Sequence, residues 1–172
     1  MFKIFELGGI IVPVHAGGDI EVTFEDVGGF TWPPLRMMNG TAVVQENWRK
    51  LRVSVSGSGI LPAGLASLDY TAPHTLKSPT TRSVQAATNV VPVPAARRID
   101  TGYTPRGYAV VGGNFVSTPL SMAGNNATLT SVSGASGYGV LYYPQLTVFA
   151  ALTTSGSSAS AQHGWQITAE EV

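Results

Sequence analysis

Apolar and polar residues alternate with period two in three stretches, and each predicts a β-strand with one buried face. In residues 19–25, Ile20, Val22 and Phe24 alternate with Asp19, Glu21 and Glu25 across Thr23, bracketed by Gly17-Gly18 and Gly28-Gly29. In residues 51–56, Leu51, Val53 and Val55 alternate with Arg52, Ser54 and Ser56. Asn39-Gly40 is a tight-turn signal before this run, Trp48 sits in the long strand expected there, and Gly57-Ser58-Gly59 is expected to end it. Near the end of the chain Trp165, Ile167 and Ala169 alternate, so residues 162–172 read as a last strand.

Between these stretches the signals are turns. Residues 107–149 predict strands at Tyr108–Val111, Phe115–Val116, Ala127–Val132 and Tyr138–Tyr143, separated by Gly112-Gly113-Asn114, Gly124-Asn125-Asn126 and 134–137. Thr147–Leu152 predicts another strand, and the low-complexity run 153–161, TTSGSSASA, a flexible loop. Residues 71–105 carry Pro73, Pro79, Pro92, Pro94 and Pro105. Apart from a short edge strand at Val90, Val91 and Val93, that segment is expected to be irregular but ordered. Trp32-Pro33-Pro34 reads as an extended connector, because proline donates no ladder hydrogen bond. Twenty glycines and eleven prolines leave few windows in which a helix can run. The expected fold is therefore mostly β, antiparallel and sandwich-like, with long loops and little helix. It is read as a single β-rich domain over 1–172, in which 107–149 forms a small elaboration. The strands near the two ends are expected to share one sheet system.

Composition narrows the function. The 172 residues are 44% hydrophobic and only 12% charged, with formal net charge zero. That is about half the usual charged share. A surface so poor in charge resists association weakly and suits a protein whose faces are covered by neighbours. With no cysteine, disulfides, thiolate metal sites and a cysteine nucleophile are excluded. Glu6 interrupts the first apolar run, so a signal peptide reads poorly and a soluble protein without a cleaved leader is expected. No run approaches the roughly 18 apolar residues of a spanning helix, so no membrane insertion is expected.

Candidate chemistry is sparse. His15, His74 and His163 show no metal-ligand spacing with each other or with a carboxylate. The acids specify no pair suited to glycoside hydrolysis. Gly57-Ser58-Gly59 lacks the full nucleophile elbow, and GASGYG at 134–139 is followed by neither lysine nor helix, so both read as turns. Arg49, Lys50, Arg52, Arg97 and Arg98 are balanced by acids elsewhere, which argues against a nucleic-acid partner. Trp32, Trp48 and Trp165 are the candidate core or interface aromatics. Tyr103, Tyr142 and Tyr143 offer rings for stacking on a sugar, but burial is the expectation for them. No catalytic, cofactor-binding or metal site and no cofactor is expected.

The words RMMNGTAVVQENWRKL at 36–51, SGSG, LPAGL and LDY up to Tyr70, then YYPQLTV at 142–148 and GWQITAEE at 164–171, resemble small structural proteins of the tail tip or baseplate of tailed bacteriophages. TLTSVSGASGYGVLYYP at 128–144 resembles the two-strand signature of fibronectin-like modules. The first resemblance implies a β-rich, non-enzymatic virion subunit, made in the host cytoplasm and located in the tail. It would form a homo-oligomeric ring or cluster against tube, hub and fibre proteins, with possible host-surface contact. It carries over no functional residue. Two other readings stand beside it: a receptor- or glycan-binding module using the 107–161 loops, and an envelope polysaccharide hydrolase.

Overall fold

The alternation at 51–56 sits inside the strand next to one edge of the largest sheet. The computed structural model describes residues 4–28, 35–43 and 48–172. In chain order its strands are β1 (Glu6–Leu7), β2 (Ile10–Ile11), β3 (Glu21–Val27), β4 (Leu35–Arg36), β5 (Ala42–Val43), β6 (Lys50–Gly59), β7 (His74–Lys77) and β8 (Arg82–Ala86). There follow β9 (Val90–Pro92), β10 (Arg106–Val111), β11 (Asn114–Thr118), β12 (Leu120–Ala123), β13 (Asn126–Leu129), β14 (Ala135–Tyr142), β15 (Gln145–Ser157) and β16 (Gln162–Glu171). Two three-residue 3₁₀ turns, Val14–Ala16 and Leu65–Ser67, are the helical elements among the described residues.

The protein is thus mostly β, as the turn spacing predicts. The chain divides into two compact units. The terminal unit comprises Leu7–Thr75 and Thr147–Val172; the middle unit comprises Leu76–Leu146 with residues 4–6. The chain passes from one to the other within β1, β7 and β15. The predicted elaboration at 107–149 lies almost wholly in the middle unit, together with 76–106.

A seven-stranded sheet in the order β2-β1-β7-β15-β16-β6-β3 joins segments from near both ends of the chain, as expected. The pairings β3–β6, β6–β16 and β16–β15 are antiparallel. Their register lines up Val22, Val55, Ile167 and Leu152 across four strands. Val53, Val55, Ile167 and Ala169 are buried, while Ser54, Gln166 and Thr168 face outward or lie part-exposed. Period two on each strand becomes one apolar face of the sheet.

Two sequence expectations fail here for one reason. The strand expected to stop at Gly57 runs on to Gly59, and the loop expected at 153–161 is largely strand, since β15 continues to Ser157. These residues pair with β16 from Gln162 onward: Gly57 with Trp165, Gly59 with His163, and Ser157 with Gln162. The glycines of 57–59 mark close approach, not a break. A Cβ on Gly57 would lie 2.7 Å from the Trp165 ring, and one on Gly59 would lie 2.0 Å from the His15 carbonyl oxygen. Asn39-Gly40 does close a hairpin, between β4 and β5, with Gly40 at φ 83°. The long strand expected to carry Trp48 is instead interrupted, for Trp48 precedes β6.

The middle unit is a two-sheet sandwich. Sheet β11-β10-β14-β8 packs on sheet β12-β13-β9 through Val91, Ala109, Ala127, Leu129, Tyr138 and Val140, all buried. From β9 to β14 the chain switches sheets in the order of strands B, C, C′, D, E and F of an immunoglobulin-type sandwich. β8 occupies the edge beside β14. β7 and β8 lie where the prolines suggested irregular backbone; the neighbouring strand β14 supplies the ladder that β8 needs. The short strand at Val90 is an edge strand, as read.

Candidate docking groove

In the middle unit, β11 is outermost in one sheet and β12 in the other, and Pro119 joins them. Proline cannot extend a ladder, so the chain leaves one sheet there and enters the other. Between this crossover, the start of β10 and segment 97–105 lies a groove of about 710 Å³. Ile99, Pro105, Pro119, Leu120 and Met122 give it an apolar lining, and Thr104, Ser117 and Thr118 add hydroxyls. Arg97 and Arg106 bring positive charge, and no acidic residue lines it among the described residues. An apolar depression of several hundred Å³ with a few convergent polar groups is the usual form of a binding site. Its floor depends on Gly107, where a Cβ would stand 2.8 Å from the Thr118 carbonyl oxygen and 2.9 Å from Leu129 Cδ2. Thr118 is buried, and its Oγ1 donates to the Thr130 carbonyl at 2.9 Å.

The two groove arginines differ. Arg97 Nη1 donates to the Pro94 carbonyl at 2.6 Å and to Asn125 Oδ1 at 2.9 Å, and Nη2 donates to the Gly124 carbonyl at 2.9 Å. These acceptors are neutral, so the guanidinium is positioned but its charge is not cancelled. Arg106 is exposed, and its guanidinium has no partner among the described residues.

Arg98, next in sequence, is a structural clamp. It is only 3% exposed. Its Nε and Nη2 donate to Asp100 Oδ2 at 3.1 and 2.6 Å, and Nη1 donates to the carbonyls of Ile4 and Ser78 at 2.9 and 3.1 Å. The guanidinium carbon lies 3.2 Å from the centre of the Tyr103 ring, a cation–π contact. Burial works to raise the Asp100 pKa, but hydrogen bonding and charge from Arg98 outweigh it and hold the carboxyl below its ordinary range. Tyr103 accepts from the Ile4 N–H at 2.7 Å and meets Tyr143 edge-on at 5.1 Å. Tyr103, Tyr142 and Tyr143 are buried, so they are not sugar platforms.

The candidate tryptophans separate. Trp165 is 4% exposed and belongs to the core. Trp48 is 53% exposed, with its ring against Gly28. It is not a core anchor: it precedes β6, and its position shares the parity of part-exposed Arg52 and Ser54, not of buried Val53 and Val55. Trp32 lies outside the described residues. The histidines stay apart in role: His74 Nε2 lies 2.8 Å from the Asp69 carbonyl oxygen, and no group of three or more possible metal ligands occurs among the described residues. Glu25 and Glu170 do converge, but on Arg52, at 3.4 and 3.0 Å. No described helix is long and apolar enough to cross a membrane.

No direct signal in the sequence points to the groove. Arg97 reads there as half of a basic pair, and Pro105 and Pro119 as punctuation. The one usable hint is that prolines stand just before β10 and just after β11, where a chain must leave one sheet. No protein-family model, curated protein or solved structure matches the chain.

Proposed function

We propose that the chain is a non-enzymatic structural subunit of a bacteriophage tail tip or baseplate, present as a homo-oligomer against tube, hub and fibre proteins. The observation that carries the assembly part is the surface. Large apolar side chains stand exposed on both units, Ile11, Met37, Met38 and Ile60 on one and Ile99 and Phe115 on the other. In a chain only 12% charged, such a surface favours cover by neighbours over free exposure. The words at 36–70 and 142–171 support the tail as the place. The mechanism is geometric: rigid sheets fix positions, and buried area offsets the ordering of side chains on docking.

Labelling an epitope-tagged chain should place it at the distal end of virion tails, and its deletion should leave filled heads with incomplete tails. Label confined to heads overturns the reading. So do deletion virions that are intact yet fail to degrade host polysaccharide, which would favour a hydrolase.

One feature favours a receptor- or glycan-binding module instead. Phe115, exposed, stacks on Tyr108 at 4.7 Å, and the Tyr108 hydroxyl is held by Ser83 and Gln85 at 2.6 and 2.8 Å. An exposed ring beside amide and hydroxyl groups is suited to a sugar face. Loss of glycan binding on Phe115→Ala, with folding unchanged, would support that reading.

A further inference from the structure

The sequence has zero formal net charge, yet the fold separates the charges. Among the described residues, the middle unit holds five basic side chains against two acidic ones, and the terminal unit holds seven acidic against four basic. Both middle-unit acids are engaged: Glu6 with Lys77 at 3.0 Å and Asp100 with Arg98 at 2.6 Å. Arg97 and Arg106 therefore face the groove with no carboxylate beside them among the described residues. On the terminal unit Arg52 takes up Glu25 and Glu170. Asp19 and Glu21 remain exposed at the start of β3 with no cation among the described residues, and β3 is the outermost strand of its sheet.

That acidic edge has an apolar flank. Glu21 stands opposite Ser56 on β6, and the same segment runs on to Ile60 and Leu61, both exposed. The Leu61 N–H donates to the His15 carbonyl at 3.3 Å, which brings the turn bearing exposed Val14 alongside. The edge is thus acidic and apolar, and the groove is basic and apolar.

We propose that the β3 edge of one copy, with Asp19 and Glu21 beside Val14, Ile60 and Leu61, seats in the groove at Arg97 and Arg106 of a second copy. This rests on the homo-oligomer reading above and specifies which surfaces meet. Two different patches meet, so the contact is heterologous. Each copy keeps one free groove and one free edge, and repetition gives a ring if the rotation closes and a filament if it does not. Fixed opposite charges set the register of docking and select against like-charged surfaces.

The test is sedimentation velocity of the full chain from micromolar to millimolar concentration, at low and high salt. The wild-type chain should assemble beyond a dimer, and less so at high salt. Arg106→Glu and Glu21→Arg should each weaken association about tenfold or more. The double variant, which exchanges the charges of groove and edge, should recover it. Both sites are exposed, and circular dichroism checks that the variants fold. A chain that stays monomeric to millimolar concentration overturns the proposal. Assembly that neither reversal weakens, or that the double variant fails to restore, overturns it too. In each of those cases tail labelling of virions still decides the structural-subunit reading separately.

Discussion

The indole N–H of Trp165 donates to the carbonyl oxygen of Ala16 at 2.7 Å, joining residues 149 apart in sequence. The ring crosses over Gly57 on β6 to reach the turn at Val14–Ala16. One side chain thereby fastens that turn to the sheet. Trp165→Phe keeps an aromatic ring but leaves the Ala16 carbonyl unpaired in a buried site. It should destabilise the protein by about 1–3 kcal/mol, read as a lower urea midpoint with an unchanged slope. An unaltered midpoint would mean that the bond contributes nothing net.

Trp48 and Trp165 should be separable by fluorescence. In variants that keep one tryptophan each, acrylamide should quench Trp48 readily and Trp165 poorly, and Trp165 should emit at shorter wavelength. Trp48→Ala should cost less stability than Trp165→Ala, since the Trp48 side chain is half in water. Equal quenching of the two would contradict their placement.

Acid should weaken the middle unit through Asp100. Its carboxyl binds a proton less readily when folded than when unfolded, because Arg98 holds it ionised. The stabilisation is therefore fully present above the ordinary carboxylate pKa of about 4 and is lost as pH falls below that toward the depressed folded value. Protonation also leaves the Arg98 guanidinium buried without its counter-charge. Asp100→Asn should lower the melting temperature at pH 7 and flatten its fall between about pH 5 and pH 2. A fall as steep as that of the wild type would remove Asp100 from the account.

Deleting residues 162–172 should unfold the terminal unit. The deletion removes β16, which lies between β15 and β6 and is not an edge. It also removes Trp165, Ile167 and Ala169 from the core. Circular dichroism should show loss of the cooperative transition or a large drop in melting temperature; an unchanged melt would refute the central place of β16.

Gly139→Ala should disturb the outer face of the four-stranded sheet. The added carbon would lie 2.3 Å from the Tyr108 ring, which stacks on Phe115. The ring must move, at a cost of about 1–3 kcal/mol. A crystal structure or tyrosine-ring NMR of the variant would show the displacement. An unmoved ring at wild-type stability would contradict the packing.

Period-two alternation by itself determined β3, β6 and β16, because a strand has only two faces and burial selects one of them. Asn39-Gly40 and Gly112-Gly113 likewise determined their turns: Gly40, Gly112 and Gly113 all adopt positive φ, which glycine takes without strain. Low charge and the absence of cysteine were equally plain. Tertiary structure decided the rest. Gly57 and Gly59 look like a break in sequence, and only the Trp165 ring and the His15 carbonyl, both distant along the chain, show why no side chain fits there. Ser155 and Ser157 are weak strand formers that become strand because Gly164 and Gln162 pair with them. The groove, and the separation of charge behind zero net charge, depend on which segments the sheets bring together, and pairing between strands far apart in sequence leaves no local pattern to read.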